Sequence, residues 1–190
     1  MKQLLIILSL LGLSFNLQAY EVDTAKSEFK WTGKKVTGKH FGKLPLKSSK
    51  IITEKGKISG GEFVLDITKL TVDDLTGEYK TKFLTHMKSA DFFEVEKWPT
   101  AKLVISSIKG NKAKGKLTIK DKTHNVEIPF KQKDNAYTGT LTFDRTKYGM
   151  IYGSGNFFKG LGDKMIYNDV TLDFTVNVKK DKKKQKLANK

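Results

Sequence analysis

The sequence predicts an all-β protein with one short helical insertion, its strands paired antiparallel in a barrel or a sandwich. Three observations carry this. Apolar residues recur at every second position in stretch after stretch, the period of a strand with one buried and one wet face. The joints are short and polar, as in "KDKTHN" from Lys120 to Asn125. The crossover helices that a parallel sheet requires are missing.

The first nineteen residues, "MKQLLIILSLLGLSFNLQA", read as a cleavable export signal. Lys2 supplies the positive start, Leu4 to Phe15 the apolar core, and Leu17-Gln18-Ala19 a small-residue cleavage site. The apolar core is short of the roughly 20 residues that span a bilayer. Cleavage after Ala19 would place the protein in the periplasm or outside the cell and leave 171 residues, the size of one domain. With no cysteine, neither disulfides nor thiolate metal sites are available, and a cysteine nucleophile is excluded.

The strands follow in order. Phe29 and Trp31 alternate with polar neighbours, and so do Phe63, Leu65 and Ile67. Leu117 and Ile119, then Val126, Ile128 and Phe130, then Leu141 and Phe143 repeat the pattern, and "VTLDFTVNV" closes it from Val170 to Val178. One helical interval interrupts them. Tyr79, Phe83 and Met87 recur every four residues after Asp73-Asp74, as one apolar stripe of a helix of about three turns. A second short helix or turn is expected at Asp91, with Glu94 completing a capping box. Phe92 and Phe93 then face inward with Trp98 behind them, Pro99 stops the helix, and "TAKLVI" leaves as a strand carrying Leu103 and Ile105. The segment from about Gly77 to Lys97 therefore reads as an aromatic plug across one barrel end.

The net charge is +16, and the last twelve residues hold seven lysines against one aspartate. Lys179 to Lys190 is expected to be a solvated, disordered basic tail, with peripheral contact to an anionic membrane surface as its functional alternative. No nucleic-acid-binding motif accompanies the charge.

Constellations for catalysis are thin. His40 in "GKHFGK" reads as a turn residue, His86 borders the helical stripe, and His124 falls in a hairpin joint; none forms a metal-type pair. "GSGNFFKGLG" (Gly153 to Gly162) lacks the spacing of a phosphate-binding loop and reads as a flexible rim loop. Asp144-Arg145 reads as a strand-end ion pair, with Arg145 the one candidate to meet a pyrophosphate. No catalytic residue, metal or cofactor is assigned.

"HMKSADFFEVEKWPTAKLVISSI", "GKLTIKDKTHNVEIPF" and "FDRTKYGMIYGSG", with the closing "DVTLDFTVNV", together resemble the YceI-like family of exported bacterial proteins over residues 20–178. "WTGKKVTGKHFGKL" and "YGSGNFFKGLGDKMIYNDV" resemble a Bacteroidota-type branch of it. The resemblance implies a lipocalin-like, eight-stranded antiparallel barrel with an elongated apolar cavity for a polyisoprenoid or another long-chain amphiphilic lipid. Two positions depart from it: Asp121 stands where the family has a small residue or glycine, and Lys26-Ser27 replaces its frequent His-Ser pair.

Twelve phenylalanines and two tryptophans suit a wide apolar lumen and a dense core equally well, so the residues leave open a lipid carrier and a stress or adaptor protein whose interior is only packed core. The inward surface is assigned to the apolar phase of each element: Phe29, Trp31, Phe63, Leu65, Ile67, Phe83, Met87, Phe92, Phe93, Leu103, Ile105, Leu117, Ile119, Leu141, Phe143, Leu172 and Phe174. Arg145 joins them as the one polar ligand contact. A one-residue slip would put Val64 or Val104 in the place of its neighbours.

Overall fold

The computed structural model describes residues 20–180. The expected export signal at 1–19 and all of the expected basic tail except Lys179 and Lys180 lie outside the described residues.

Ten strands and one α-helix make up the described chain: β1 (Tyr20–Val22), β2 (Glu28–Lys35), β3 (Gly38–Lys43), β4 (Leu46–Glu54), β5 (Lys57–Asp66), α1 (Gly77–Lys88), β6 (Thr100–Lys109), β7 (Lys112–Ile119), β8 (Lys122–Lys133), β9 (Ala136–Asp144) and β10 (Ile166–Lys180). They form one curled, antiparallel sheet in the order β3-β2-β10-β9-β8-β7-β6-β5-β4, with β1 beside β10. This is the all-β, lipocalin-like architecture with a short helix.

The two end strands of that order, β3 and β4, are consecutive in the chain and separated only by Leu44 and Pro45. Leu44 N–H donates to the Phe29 carbonyl on one side, at 3.0 Å, while the Pro45 carbonyl accepts from Asp66 N–H on the other, at 2.9 Å. One bent strand thus serves both neighbours. Pro45 suits the corner because no ladder bond is asked of its missing N–H. The expected eight strands become ten segments because this strand is counted as two and β1 is added. Tyr20 and Glu21 of β1 pair with Lys180 and Lys179. The last strand therefore runs two residues past the expected boundary at Val178, and these two lysines belong to the sheet.

The β7–β8 turn is tighter than the sequence suggests. Ile119 pairs with Lys122, which leaves a two-residue loop, and such loops place a residue at positive φ. That residue is Lys120, with φ 56°, rather than Asp121. His124 consequently lies within β8 and not in a joint; His40 likewise lies in β3 and not in a turn.

Helix α1 forms where expected, with Phe83, Leu84 and Met87 packed on the core. Tyr79 does not share that face and is 76% exposed, because an i, i+4 series drifts by about 40° per step around a helix. No second helix follows. Asp91 turns back to His86 instead of capping, and Glu94 takes φ 50°, so the residues after α1 are successive turns. Phe92 and Phe93 are nevertheless buried. Trp98 stays partly exposed, with Lys97 Nζ 5.3 Å from its ring centre.

Two turns use the same local device. Asp66 Oδ1 accepts from Thr68 N (3.1 Å) and Oγ1 (2.5 Å) after β5. Asp144 Oδ1 accepts from Thr146 N (2.8 Å) and Oγ1 (2.6 Å) after β9. Each carboxylate caps one 3₁₀ turn. Ile67 therefore belongs to the first of these turns and not to β5, though it remains fully buried.

Candidate functional site: the interior cavity

The question of a hollow or a filled interior is answered by two cavities among the described residues, one of about 570 Å³ beneath α1 and one of about 100 Å³ further along the barrel. Leu141 and Leu172, directly opposed across β9 and β10, line both and form the partition. The large cavity has the size of an ordinary small-molecule pocket, roughly 300–1,000 Å³.

Every residue assigned to the lumen lines one cavity or the other. Trp31, Leu65, Ile67, Phe83, Met87, Phe92, Phe93, Leu117, Ile119, Phe143 and Arg145 line the larger. Phe29, Phe63, Leu103, Ile105 and Phe174 line the smaller. The strand period brings them together, since residues i and i+2 share a face and the sheet curls that face inward. β5 keeps the expected register, with Leu65 buried on the inner phase.

A histidine and an aspartate meet at each end of helix α1: one pair ties its entry to β3, and the other ties its last turn to the turn that follows. At one end Gly42 permits the connection before α1 to lie tight across β3: a Cβ there would sit 2.1 Å from the Thr71 carbonyl oxygen. That closeness brings Asp74 to His40, with Nδ1 2.7 Å from Oδ2, and to Phe41 N–H, which donates to Oδ1 at 3.0 Å. Burial pushes the Asp74 carboxyl up, but the Phe41 amide and the His40 ring outweigh it, and the group sits below its ordinary value. The His40 ring packs 4.7 Å from Phe83, which stacks 6.0 Å from Trp31. Trp31 Nε1 in turn donates to the Thr71 carbonyl at 2.9 Å. At the other end His86 Nε2 lies 2.9 Å from Asp91 Oδ2, with its ring edge-on to Phe92 and Tyr152 at 5.1 and 4.5 Å.

Arg145 is 2% exposed and does not pair with Asp144, whose carboxylate is engaged as a cap. Its Nε donates to the Tyr167 carbonyl at 3.1 Å, one terminal nitrogen to Ile166 at 3.1 Å, and the other to Met150. The expected ion pair is thus replaced by three bonds to main-chain carbonyls, which fasten the chain after β9 to the start of β10. Burial lowers the Arg145 pKa, and Asp144 nearby opposes the shift. In the same 3₁₀ turn, burial pushes the Tyr148 hydroxyl up to about 12.

The residues that sequence reasoning missed fall into two groups. Ile128, Phe130, Val176 and Val178 line the small cavity and were visible as the same alternation. Lys34, Lys35, His40, His86, Tyr152, Asp163, Lys164 and Tyr167 form the polar and aromatic rim of the large one, and no periodicity marks them. The glycine-rich stretch itself lines neither cavity; only its flanking residues Tyr152, Asp163 and Lys164 line the large one. The described residues contain no cluster of three metal-type ligands.

The model of the YceI-like domain matches residues 20–178. The chain belongs to the YceI-like domain family. Solved structures share this fold. The Burkholderia cenocepacia protein BcnA superposes with a TM-score of 0.62 at 23% identity, covering 84% of this chain and 99% of its own. A polyisoprenoid-binding domain from Saccharophagus degradans, implicated in plant cell wall breakdown, gives 0.63 at 14%, covering 86% and 99%. A Campylobacter jejuni YCEI protein gives 0.51 at 13%, covering 74% and 85%. At these identities the likeness is one of fold. No curated protein sequence matches the chain.

Proposed function

We propose that this YceI-like protein is an exported carrier or buffer that holds a polyisoprenoid or similar long-chain amphiphilic lipid in its barrel. The observation that carries the reading is the large cavity beneath α1, walled by Trp31, Phe83, Phe92, Leu117 and their apolar neighbours and opening at a rim that bears lysines and histidines. A lipid tail would lie among the aromatics with its polar end toward the rim. Arg145 commits three of its five N–H donors to carbonyls, which leaves two for that polar end. The domain structure from Saccharophagus degradans described as polyisoprenoid-binding supports the same ligand class.

The energetics suit a chain without specific polar contacts. Each buried CH₂ contributes about 0.8 kcal/mol, so a five-carbon isoprene unit yields roughly 4 kcal/mol gross. Three or four units match an association cost of about 4–15 kcal/mol. Affinity should therefore follow chain length more than head-group chemistry.

Native mass spectrometry of the protein purified from its own host tests this. The expected spectrum shows one lipid per chain, lost on organic extraction and regained with a long-chain polyprenol. A protein that purifies empty and takes up no polyprenol would have an apolar interior without a ligand, as in a stress or adaptor protein.

A further inference from the structure

Exposed hydrophobic side chains are unevenly spread over this protein. Of nine large ones among the described residues, six lie together: Val36, Ile151, Tyr152, Phe157, Phe158 and Tyr167, each 36–55% exposed. They come from the β2–β3 turn, the irregular chain between β9 and β10, and the first residues of β10. Hydrogen bonds tie these segments to one another. Val36 N–H donates to the Met165 carbonyl at 3.1 Å, Ile166 N–H to Gly153 at 2.8 Å, and the Phe157 and Phe158 amides both to Ser154 at 3.1 and 2.9 Å. Ser154 itself is fully buried and its hydroxyl donates to Asn168 Oδ1 at 2.8 Å. The loop is thus built to hold two adjacent phenylalanines outward.

The charges beside them have one dominant sign. Lys34, Lys35, Lys159 and Lys164 stand in the same segments or beside them, with Asp163 and Asp169 as the acidic exceptions. Tyr152, Tyr167, Lys34, Lys35 and Lys164 also line the large cavity, so this patch surrounds its mouth. Outward aromatics among lysines suit the interfacial layer of an anionic membrane, where rings enter the head-group region and ammonium groups meet phosphates.

We propose that this rim docks the mouth of the large cavity onto an anionic phospholipid bilayer. The proposal concerns the outer surface and goes beyond the reading of the cavity as a lipid site, although it would give a lipid a path from bilayer to barrel that avoids water. It also assigns the membrane to a different end of the molecule from Lys179 and Lys180, where the last strand ends. β10 begins at the mouth with Ile166 and ends at Lys180, past Val178 in the small-cavity wall; at about 3.3 Å per residue its 15 residues span on the order of 50 Å. Lys179 and Lys180 therefore lie at the opposite end of the barrel.

The test is co-sedimentation with vesicles of phosphatidylcholine, with and without phosphatidylglycerol. Phe157→Ser with Phe158→Ser should weaken binding to the anionic vesicles by about ten-fold or more, since each ring contributes apolar burial at the interface. Lys159→Glu with Lys164→Glu should weaken it and flatten its salt dependence. Truncation after Lys180 should leave binding within about three-fold at physiological salt, where tail charges beyond a Debye length of roughly 8 Å are screened. A separate Phe158→Trp variant should show a blue-shifted emission, quenched by brominated lipid, when vesicles are added; this readout does not depend on the charge-reversed or double variants folding. Native mass spectrometry of the same proteins reports cavity occupancy independently, so failure of docking and failure of the lipid-holding reading give different results. Wild-type binding by the phenylalanine double variant, loss of all binding on tail truncation, or an unshifted tryptophan each overturns the proposal, as does an intact protein that ignores both kinds of vesicle, which would turn the patch toward a protein partner.

Discussion

At the barrel end that holds Val178, inward side chains of neighbouring strands meet one another; at the end that holds Ile166, they meet a helix. Phe29, Ile128, Phe130, Val176 and Val178 are all buried at the first end and leave only about 100 Å³ between them. At the second, α1 buries no residue fully and touches the core through the narrow stripe of Phe83, Leu84 and Met87. About 570 Å³ stays open beneath it. Strands fill a lumen by interdigitation at close spacing. A single amphipathic helix laid across the opening brings too few side chains to do the same, so the chain spends its remaining interactions there on polar anchors: His40 with Asp74, His86 with Asp91, and Arg145 on three carbonyls.

Paired truncations would break the contrast most directly. Phe130→Ala at the closed end should cost about 3–5 kcal/mol, the range for a buried phenylalanine whose surroundings cannot collapse. Phe83→Ala at the open end should cost about 1–2 kcal/mol, because its ring already borders empty space. Urea unfolding of both variants measures the difference, and equal losses would mean that the open end is packed in solution.

Arg145→Met should cost about 3 kcal/mol, since it leaves the buried carbonyl of Met150 and the part-buried carbonyls of Ile166 and Tyr167 without their donor. Amide hydrogen exchange should rise in the chain between β9 and β10 and remain unchanged in β6 and β7. Uniform acceleration throughout would show that Arg145 supports the whole sheet and not the mouth alone.

The smallest effect expected is that of Asp74→Asn, about 1 kcal/mol at neutral pH, from loss of a charged acceptor on the Phe41 amide and His40. The Asp74 pKa is lowered on folding. Its contribution is therefore complete above the ordinary aspartate value of about 3.9 and is lost as pH falls through the lower folded value. The variant should show a shallower acid limb in a pH series of unfolding midpoints, with the deficit at neutral pH closing as acid protonates the wild-type carboxyl. Parallel limbs would place Asp74 outside the linkage.

The alternation that defines most strands, and the aromatic content of the segment after α1, were legible because the period of two is a property of backbone geometry and needs no partner. That is why Trp31, Leu117, Leu141 and Leu172 could be assigned inward before any pairing was known. Local chemistry was legible only where it did not compete: Asp91 and Glu94 have the spacing of a capping box, but His86, five residues before Asp91, and Lys120, distant in sequence in the β7–β8 turn, offered other partners. Asp144 and Arg145 are adjacent in the chain yet engage different groups, because Thr146 was nearer to the carboxylate and three carbonyls surrounded the guanidinium.

The sequence by itself determined that the chain would form antiparallel strands with one helix, and which face of each strand would be apolar. Periodicity and turn residues act within about ten positions and carry that information locally. Tertiary structure alone decided that the interior is hollow, that the hollow is divided at Leu141 and Leu172, and that its mouth lies at the opposite end from Lys179 and Lys180. These depend on how far the sheet curls and on how much volume remains once distant side chains meet, a difference between two large quantities that no single stretch of residues encodes.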